Sequence, residues 1–360
     1  MSRARDFADL AGSADAGGLT GRNLIINGAM TVAQRGSLTG QTGTVYTACD
    51  RFLSAEVGDT VTTSTQDTDV PSGQGFANSL KIDVTTADAS LAASDVFLVM
   101  TRLEGQDLQH LLYGTSDAKN LTLSFWVKSP KTGTHIAELF QNDATYYNSQ
   151  AYTIASANTW QKVELTFSGY TATAFDDDNG YSLGITWFLA AGSDYTSGTL
   201  SSNTWHNTQA NRAVGQVNCV DDAANNFYIT GVQLEVGETA TPFEHRSYGD
   251  ELARCQRYLK LGGAGVYGIY NSASNIEISI PFSPDMRATP TLSMAKTTVT
   301  ISNKTNSNTA DATSVSATNI SASPSGAFFA QIGNCNVTSA SSGHIAQFRT
   351  DEFLQLDAEL

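Results

Sequence analysis

From Asn23 to about Glu244 the chain runs in short stretches where apolar and polar residues alternate, each closed by Gly, Asn, Asp or Ser, with helix-period patterning nearly absent. Leu121, Leu123, Phe125 and Val127 alternate with polar neighbours over Leu121–Lys128, and Val163, Leu165 and Phe167 do so over Gln161–Phe167. Successive side chains of a strand point to opposite faces, so each run buries one face and wets the other. Leu183–Leu189 and Phe227–Val236 read as further strands, and Gly105–Leu112 is the one plausible helical turn among them. Half-buried strands joined by polar turns predict a sandwich of packed sheets.

At 360 residues the chain exceeds what one core serves, since domains run to about 100–200 residues and all-β units to about 250. Breaks in the pattern divide it further. Phe7, Leu10, Ala11 and Ala14 form one apolar stripe, and Gly17, Gly18 and Gly21 end it, which predicts a short N-terminal attachment or self-association helix within residues 1–22. The sandwich is expected over 23–245, with Pro242 setting an extended exit. A connecting helix is predicted over 246–262, with Ser247 as its cap and Leu252, Cys255 and Leu259 at helical spacing. Residues 263–360 return to strand signals, with Ile276, Ile278 and Ile280 in strict alternation. That last stretch is poor in large apolar groups and can bury only a modest core, so support from sister chains is expected. The fold class is therefore mainly β: a sandwich, a short helix and a second, smaller sandwich.

Charge and cysteine usage narrow the function classes. The formal net charge is −15, from 35 acidic against 20 basic residues, which disfavours nucleic acid as a partner. No run of about 18 apolar residues occurs, so no membrane-inserting helix is expected. The opening MSRARDFADLAGSADAGG has no apolar core behind its arginines and does not read as a secretory signal, which points to assembly in the cytosol. Cys49, Cys219, Cys255 and Cys335 are far apart and form no C-x-x-C pair, and are expected as reduced, buried thiols.

Five segments carry a resemblance. NLIINGAM at Asn23–Met30, QRG at Gln34–Gly36, YTACDRF at Tyr46–Phe52, SFWVKSPKTGTH at Ser124–His135 and, most specifically, Phe227–Leu259 resemble stations of a jelly-roll domain found in phage tail-fibre and related virion proteins. The resemblance covers Asn23 to about Lys260. It implies a jelly roll like a carbohydrate-binding module on a virion appendage, commonly homotrimeric, with the C-terminal domain exposed distally. It also implies other tail or baseplate proteins as partners through the N-terminus, and a bacterial surface glycan or receptor as the distal target.

Sugar binding needs exposed aromatic rings beside amides and carboxylates. Tyr146 and Tyr147, near Asn142, Asp143 and Asn148, and Tyr195, with Asp194 and leading towards Trp205 and His206, are candidates and are expected in surface loops. Trp126 and Trp160 are read instead as core anchors. Asp176–Asp178 has the oxygen density calcium favours but not the spacing of an EF-hand loop; a solvated hairpin turn is preferred, with Asp176 and Asp178 as the candidates for a structural cation. No cofactor is otherwise expected. Asn27-Gly28 and Asn225 read as turn chemistry, and Asp50-Arg51 as an ion pair at a strand start.

The five histidines are scattered, and neither H-E-x-x-H, G-x-S-x-G nor a P-loop occurs. The expectation is a non-enzymatic virion protein of tail-fibre type that attaches to the host surface. The alternatives are a virion polysaccharide depolymerase, which needs only two carboxylates across a cleft, and a ligand-free decoration protein of head or tail.

Overall fold

In the computed structural model the described residues are 21–360, except 263–264, 282, 297, 306, 313–315, 322–326, 334, 336, 338–339 and 351–353. The N-terminal helix expected within 1–22 falls almost wholly outside them. The chain divides into two compact units, one running to Glu251 with Leu360, the other Leu252–Glu359.

The first unit holds β1 (Leu38–Gln41), β2 (Val45–Tyr46), β3 (Phe52–Val57), β4 (Val61–Asp67), β5 (Ser79–Thr86), β6 (Val96–Glu104), β7 (Leu121–Lys128), β8 (Gly133–Gln141), β9 (Tyr146–Ile154), β10 (Gln161–Phe167), β11 (Tyr181–Ala191) and β12 (Asn226–Val236). The first sheet has the order β1-β4-β5-β12-β7-β10 and the second β2-β3-β6-β11-β8-β9, with neighbours antiparallel throughout. The chain passes repeatedly from sheet to sheet, as in a jelly roll, staying in one sheet only for the hairpins β2-β3, β4-β5 and β8-β9. Two 3₁₀ turns, Gly105–Asp107 and Gln109–Leu111, occupy the place expected for a helical turn.

The alternating positions do what their spacing demands. Leu121, Leu123, Phe125 and Val127 of β7 and Val163 and Phe167 of β10 join Leu80, Ile82, Phe227, Ile229 and Leu234 in the main core. Trp187 of β11 is fully buried at its centre, 6.3 Å from the Phe52 ring and 5.6 Å from that of Phe125, the latter edge-on. The tryptophan that anchors this core is therefore Trp187, not Trp126 or Trp160.

A smaller apolar layer lies on the outer face of the second sheet, where Leu53, Leu98, Met100, Ile136 and Phe188 pack with Ala213. The segment that covers it includes helix α1 (Ser193–Thr196) and is tied down by charge. Arg212 donates to both oxygens of Glu138, at 2.7 and 3.0 Å, and Ser149 Oγ donates to Glu138 at 2.9 Å.

Helix α2 (Tyr248–Gln256) begins as expected: Ser247 Oγ accepts from the Asp250 N–H at 3.2 Å and donates to the Asp250 carboxylate at 2.6 Å. It stops earlier than its apolar stripe implies. Leu259 is not the next helical position but opens β13 (Leu259–Gly262), because Leu259–Gly262 pairs antiparallel with Asp357–Leu354.

The second unit continues with β14 (Tyr267–Tyr270), β15 (Ile276–Pro281), β16 (Thr291–Met294), β17 (Val299–Asn303), β18 (Asn308–Ala312), β19 (Ser316–Ser321), β20 (Ala327–Gly333), β21 (Ile345–Phe348) and β22 (Leu354–Asp357). One sheet has the order β13-β22-β16, the other β18-β17-β21-β14-β15-β20-β19. Ile276, Ile278, Ile280, Ile301 and Phe348 of the larger sheet share a core with Leu354 and Leu356 of the smaller, the second sandwich that the alternation implies.

Candidate functional site

The four aromatic residues singled out in the sequence separate into two packed groups. Tyr146 and Tyr147 are not in a loop; they open β9, and being adjacent on a strand they face opposite ways. Tyr147 is 8% exposed, stacked on Phe140 at 5.0 Å and covered by the Arg212 guanidinium at 4.0 Å. Tyr195, in α1, lies 5.8 Å from the same guanidinium. Tyr146 packs against Tyr170 at 5.0 Å, and Trp205 against Tyr170 at 5.1 Å, its indole N–H donating to the Ser168 carbonyl at 2.7 Å. An isolated bridge, Tyr147 with His206, links the two groups through the backbone. These rings are engaged by the protein itself, around Arg212 in one group and Tyr170 in the other.

Asp176 and Asp178 sit in the connection from β10 to β11, and because those strands belong to different sheets the hairpin expected there does not form. The Asp178 carboxylate accepts the Gly180 N–H at 2.7 Å in a local turn, and the Asp176 N–H donates to Asp143 at 3.1 Å. Among the described residues no three His, Cys, Asp or Glu side chains are grouped to hold a metal ion.

The open aromatic surface lies elsewhere, on the outer face of the first sheet. Since Phe125 and Val127 point into the core, Trp126 and Lys128 must point out. Pairing then builds a grid across strands about 4.8 Å apart. Lys81 faces Tyr228 and Tyr228 faces Lys128; in the next row Thr230 faces Trp126, which in turn faces Lys162. Trp160, immediately before β10, completes the first row at Lys128. Its ring centroid lies 6.1 Å from that of Tyr228, and the Lys128 ammonium sits over both rings, 4.1 Å from Tyr228 and 5.5 Å from Trp160.

Asp69 fixes this corner. Its carboxylate pairs with Lys128 through one oxygen and accepts the Trp160 indole N–H through the other, at 2.8 Å. Partial burial pushes its pKa up, but the hydrogen bonds from Lys128 and Trp160 outweigh burial and hold it below the usual carboxylate value. Burial raises the Tyr228 phenol, with Lys81 pulling the other way. Every lysine of the face has an acidic partner: Lys81 with Asp83 at 3.1 Å, Lys162 with Glu164 at 2.7 Å, and Lys128 with Asp69. The frame around the rings is therefore charge-balanced.

Trp126 completes the surface. It is half-buried, and among the described residues no group of the chain bonds its indole N–H. Farther along the same sheet the outer face is closed by Phe76, Phe243 and His245, whose rings lie within 5.4 Å of one another. What stays open is the end carrying the half-buried Trp126 and Trp160, with Tyr228, 9% exposed, forming the floor beneath the Lys128 ammonium. Strand parity was the signal that could have found it, because Trp126 and Trp160 both occupy outward positions of runs whose inward positions are plainly apolar.

No family model matches the chain. No curated protein matches it. Solved structures resemble it loosely. The enzymatically active domain of tailspike protein 4 of bacteriophage CBA120 is 13% identical with a TM-score of 0.34, over 60% of this chain and 21% of that one. A family 61 carbohydrate-binding module in complex with β-1,4-galactotriose is 10% identical with a TM-score of 0.32, over 60% of this chain and 99% of that one. A family 11 carbohydrate-binding module from Clostridium thermocellum, in complex with a mixed-linked tetrasaccharide, is 12% identical with a TM-score of 0.28, over 54% of this chain and 91% of that one. The chain thus spans about a fifth of the length of the tailspike domain, and most of the length of the two modules.

Proposed function

We propose that the chain is a non-catalytic virion protein of phage tail-fibre type that holds a bacterial surface glycan on the outer face of its first sheet. The observation that carries this reading is the placement of two half-buried indoles, Trp126 and Trp160, on one face over a floor of buried Tyr228, framed by Asp69, Lys128, Lys81 and Lys162. Aromatic faces stack on the apolar faces of sugar rings, while fixed carboxylates, ammoniums and a free indole N–H bond the hydroxyls. Charge balance suits an uncharged glycan: a polyanion would have to compete with the acid already bound to each lysine. Asp69 is engaged twice by its neighbours, so its role is to position Lys128 and Trp160 and not to transfer a proton.

The sequence resemblance supports the virion setting, the homotrimer and the docking of the N-terminus to other tail or baseplate proteins. In such an assembly several weak sugar contacts add up, with linked copies raising avidity by about 10²–10⁴.

The test is binding of the purified full-length protein to an array of capsular and O-antigen polysaccharides. Retention of uncharged glycans is expected, with loss on Trp126→Ala. Release of reducing ends with sustained turnover would instead make it a depolymerase. Failure of any polysaccharide to bind would leave the ligand-free decoration protein as the better reading.

A further inference from the structure

The second unit carries an exposed apolar face that its own fold leaves uncovered. Tyr267 and Ile269 of β14 are 56% and 57% exposed, and Ile345 of β21 is 47% exposed. Ile269 is registered opposite Ile345, and Tyr267 opposite Gln347, so the three side chains are neighbours on the outer face of the larger sheet. The other strongly exposed large apolar residues among those described, Val57, Leu112 and Tyr248, lie on separate elements. Scattered single residues are ordinary, whereas adjacent ones on a sheet face mark an interaction surface.

Charge indicates what covers it. Residues 252–359 contain seven Lys or Arg and seven Asp or Glu, so the whole net charge of −15 resides in the first unit. Copies of the chain repel through their first units and not through their second. Within the face the arrangement is also self-complementary. Reading across the strands, exposed Lys304, whose N–H donates to the Ile345 carbonyl at 2.8 Å, is followed by Ile345, then Ile269, then exposed Glu277. Cation, two apolar residues and anion in one row match the same row of another copy in reverse, or follow it head to tail around a symmetry axis.

We infer that Tyr267, Ile269 and Ile345, with Lys304 and Glu277 at the two ends of the row, form the face by which one copy of the chain docks on another. The inference is independent of the glycan reading, using a different unit and different residues, and rests on the homotrimer proposed above, to which it assigns an interface: a monomeric wild type would sink both, a folded Ile269→Glu of wild-type mass the interface alone.

Light scattering on the full-length protein tests it. A mass that is a multiple of 38.2 kDa is expected for the wild type, and that of one chain for Ile269→Glu with its circular dichroism unchanged. Lys304→Glu and Glu277→Lys should each weaken association by about tenfold, and the double variant should recover most of it. These surface exchanges decide the matter if Ile269→Glu does not fold. A monomeric wild type, a folded Ile269→Glu that keeps the wild-type mass, or charge exchanges without effect would each overturn the assignment.

Discussion

The backbone N–H of Asn27 donates to the Glu251 carboxylate at 2.6 Å, across 224 positions of chain. The contact joins the NLIINGAM segment to the first turn of α2. Around it Arg246 donates to the Ile25 carbonyl at 2.9 Å and lies 3.6 Å from Glu251, while the Asn27 side chain donates to the carbonyls of Val32 and Asp50 at 2.8 and 2.9 Å. The segments that carry the family resemblance are thus a latch closing the two ends of the sandwich. Asp50 belongs to it as well, accepting the Gln34 N–H at 2.9 Å, while Arg51 donates to the Arg102 carbonyl at 2.7 Å.

Glu251→Ala removes the buried acceptor of the Asn27 N–H and one of the two carboxylates beside Arg246, whose other partner, Glu244 at 3.7 Å, remains. Leaving a buried donor unsatisfied costs about 1–3 kcal/mol, so the midpoint of urea unfolding of the first unit should fall. Glu251→Gln keeps an acceptor and should lose less. Equal stabilities for the two variants and the wild type would show the latch to be incidental.

Strand parity made much of this molecule legible. The runs 121–128 and 161–167 give strands with those bounds, and Ile276, Ile278 and Ile280 all face the second core, because each rests on a local alternation that tertiary contacts reinforce. The core-anchor reading of Trp126 and Trp160 fails on parity, because Phe125 inward requires Trp126 outward. Tyr146 and Tyr147 lie outside any clear alternation, and the strand they open is fixed by its pairing with β8 across the sheet. Asp69 was not legible at all, because its link to Trp160 spans 91 positions and comes only from folding.

At the platform, Asp69→Ala should lower glycan affinity by about tenfold with little change in stability. The Lys128–Asp69 pair is half open on the aspartate side, and such pairs contribute about 0–1 kcal/mol, but without it neither Lys128 nor the Trp160 ring is held in place. Calorimetric titration beside thermal melts separates the two quantities. A stability loss as large as the affinity loss would assign Asp69 a structural role instead.

His135 should shape the acid response. It is buried, with Nε2 donating to the Lys131 carbonyl at 3.1 Å and Nδ1 lying 3.8 Å from Cys219 Sγ. Burial lowers its pKa from 6.5 to about 4, the Lys131 contact only partly offsetting this. The unfolded chain therefore binds a proton that the folded chain refuses between pH 6.5 and about 4, so the stability contributed by His135 falls as pH falls through that window and is fully lost below it. The contribution is on the order of 3 kcal/mol. His135→Gln should flatten the slope without abolishing it, since burial also holds His206 low. An unchanged slope of unfolding free energy against pH would refute the assignment.

Gly231 tests how the closed part of the first sheet is built. Its φ is +60°, and it lies in the stretch of β12 where the register with β7 shifts between Thr230 and Gln233. A Cβ there would stand 2.6 Å from the Phe76 ring, so Gly231→Ala meets both a left-handed backbone and a steric clash. The first costs about 1–2 kcal/mol and the second about 1–3 kcal/mol. Removing the ring as well, in Gly231→Ala/Phe76→Ala, relieves the clash but not the backbone term, and it also loses the packing of Phe76 on Phe243 and His245. A double-mutant cycle from denaturant unfolding should therefore show the two changes costing less together than the sum of their separate effects. Strict additivity would mean that the glycine is required by the bulge alone, with Phe76 resting on it by chance.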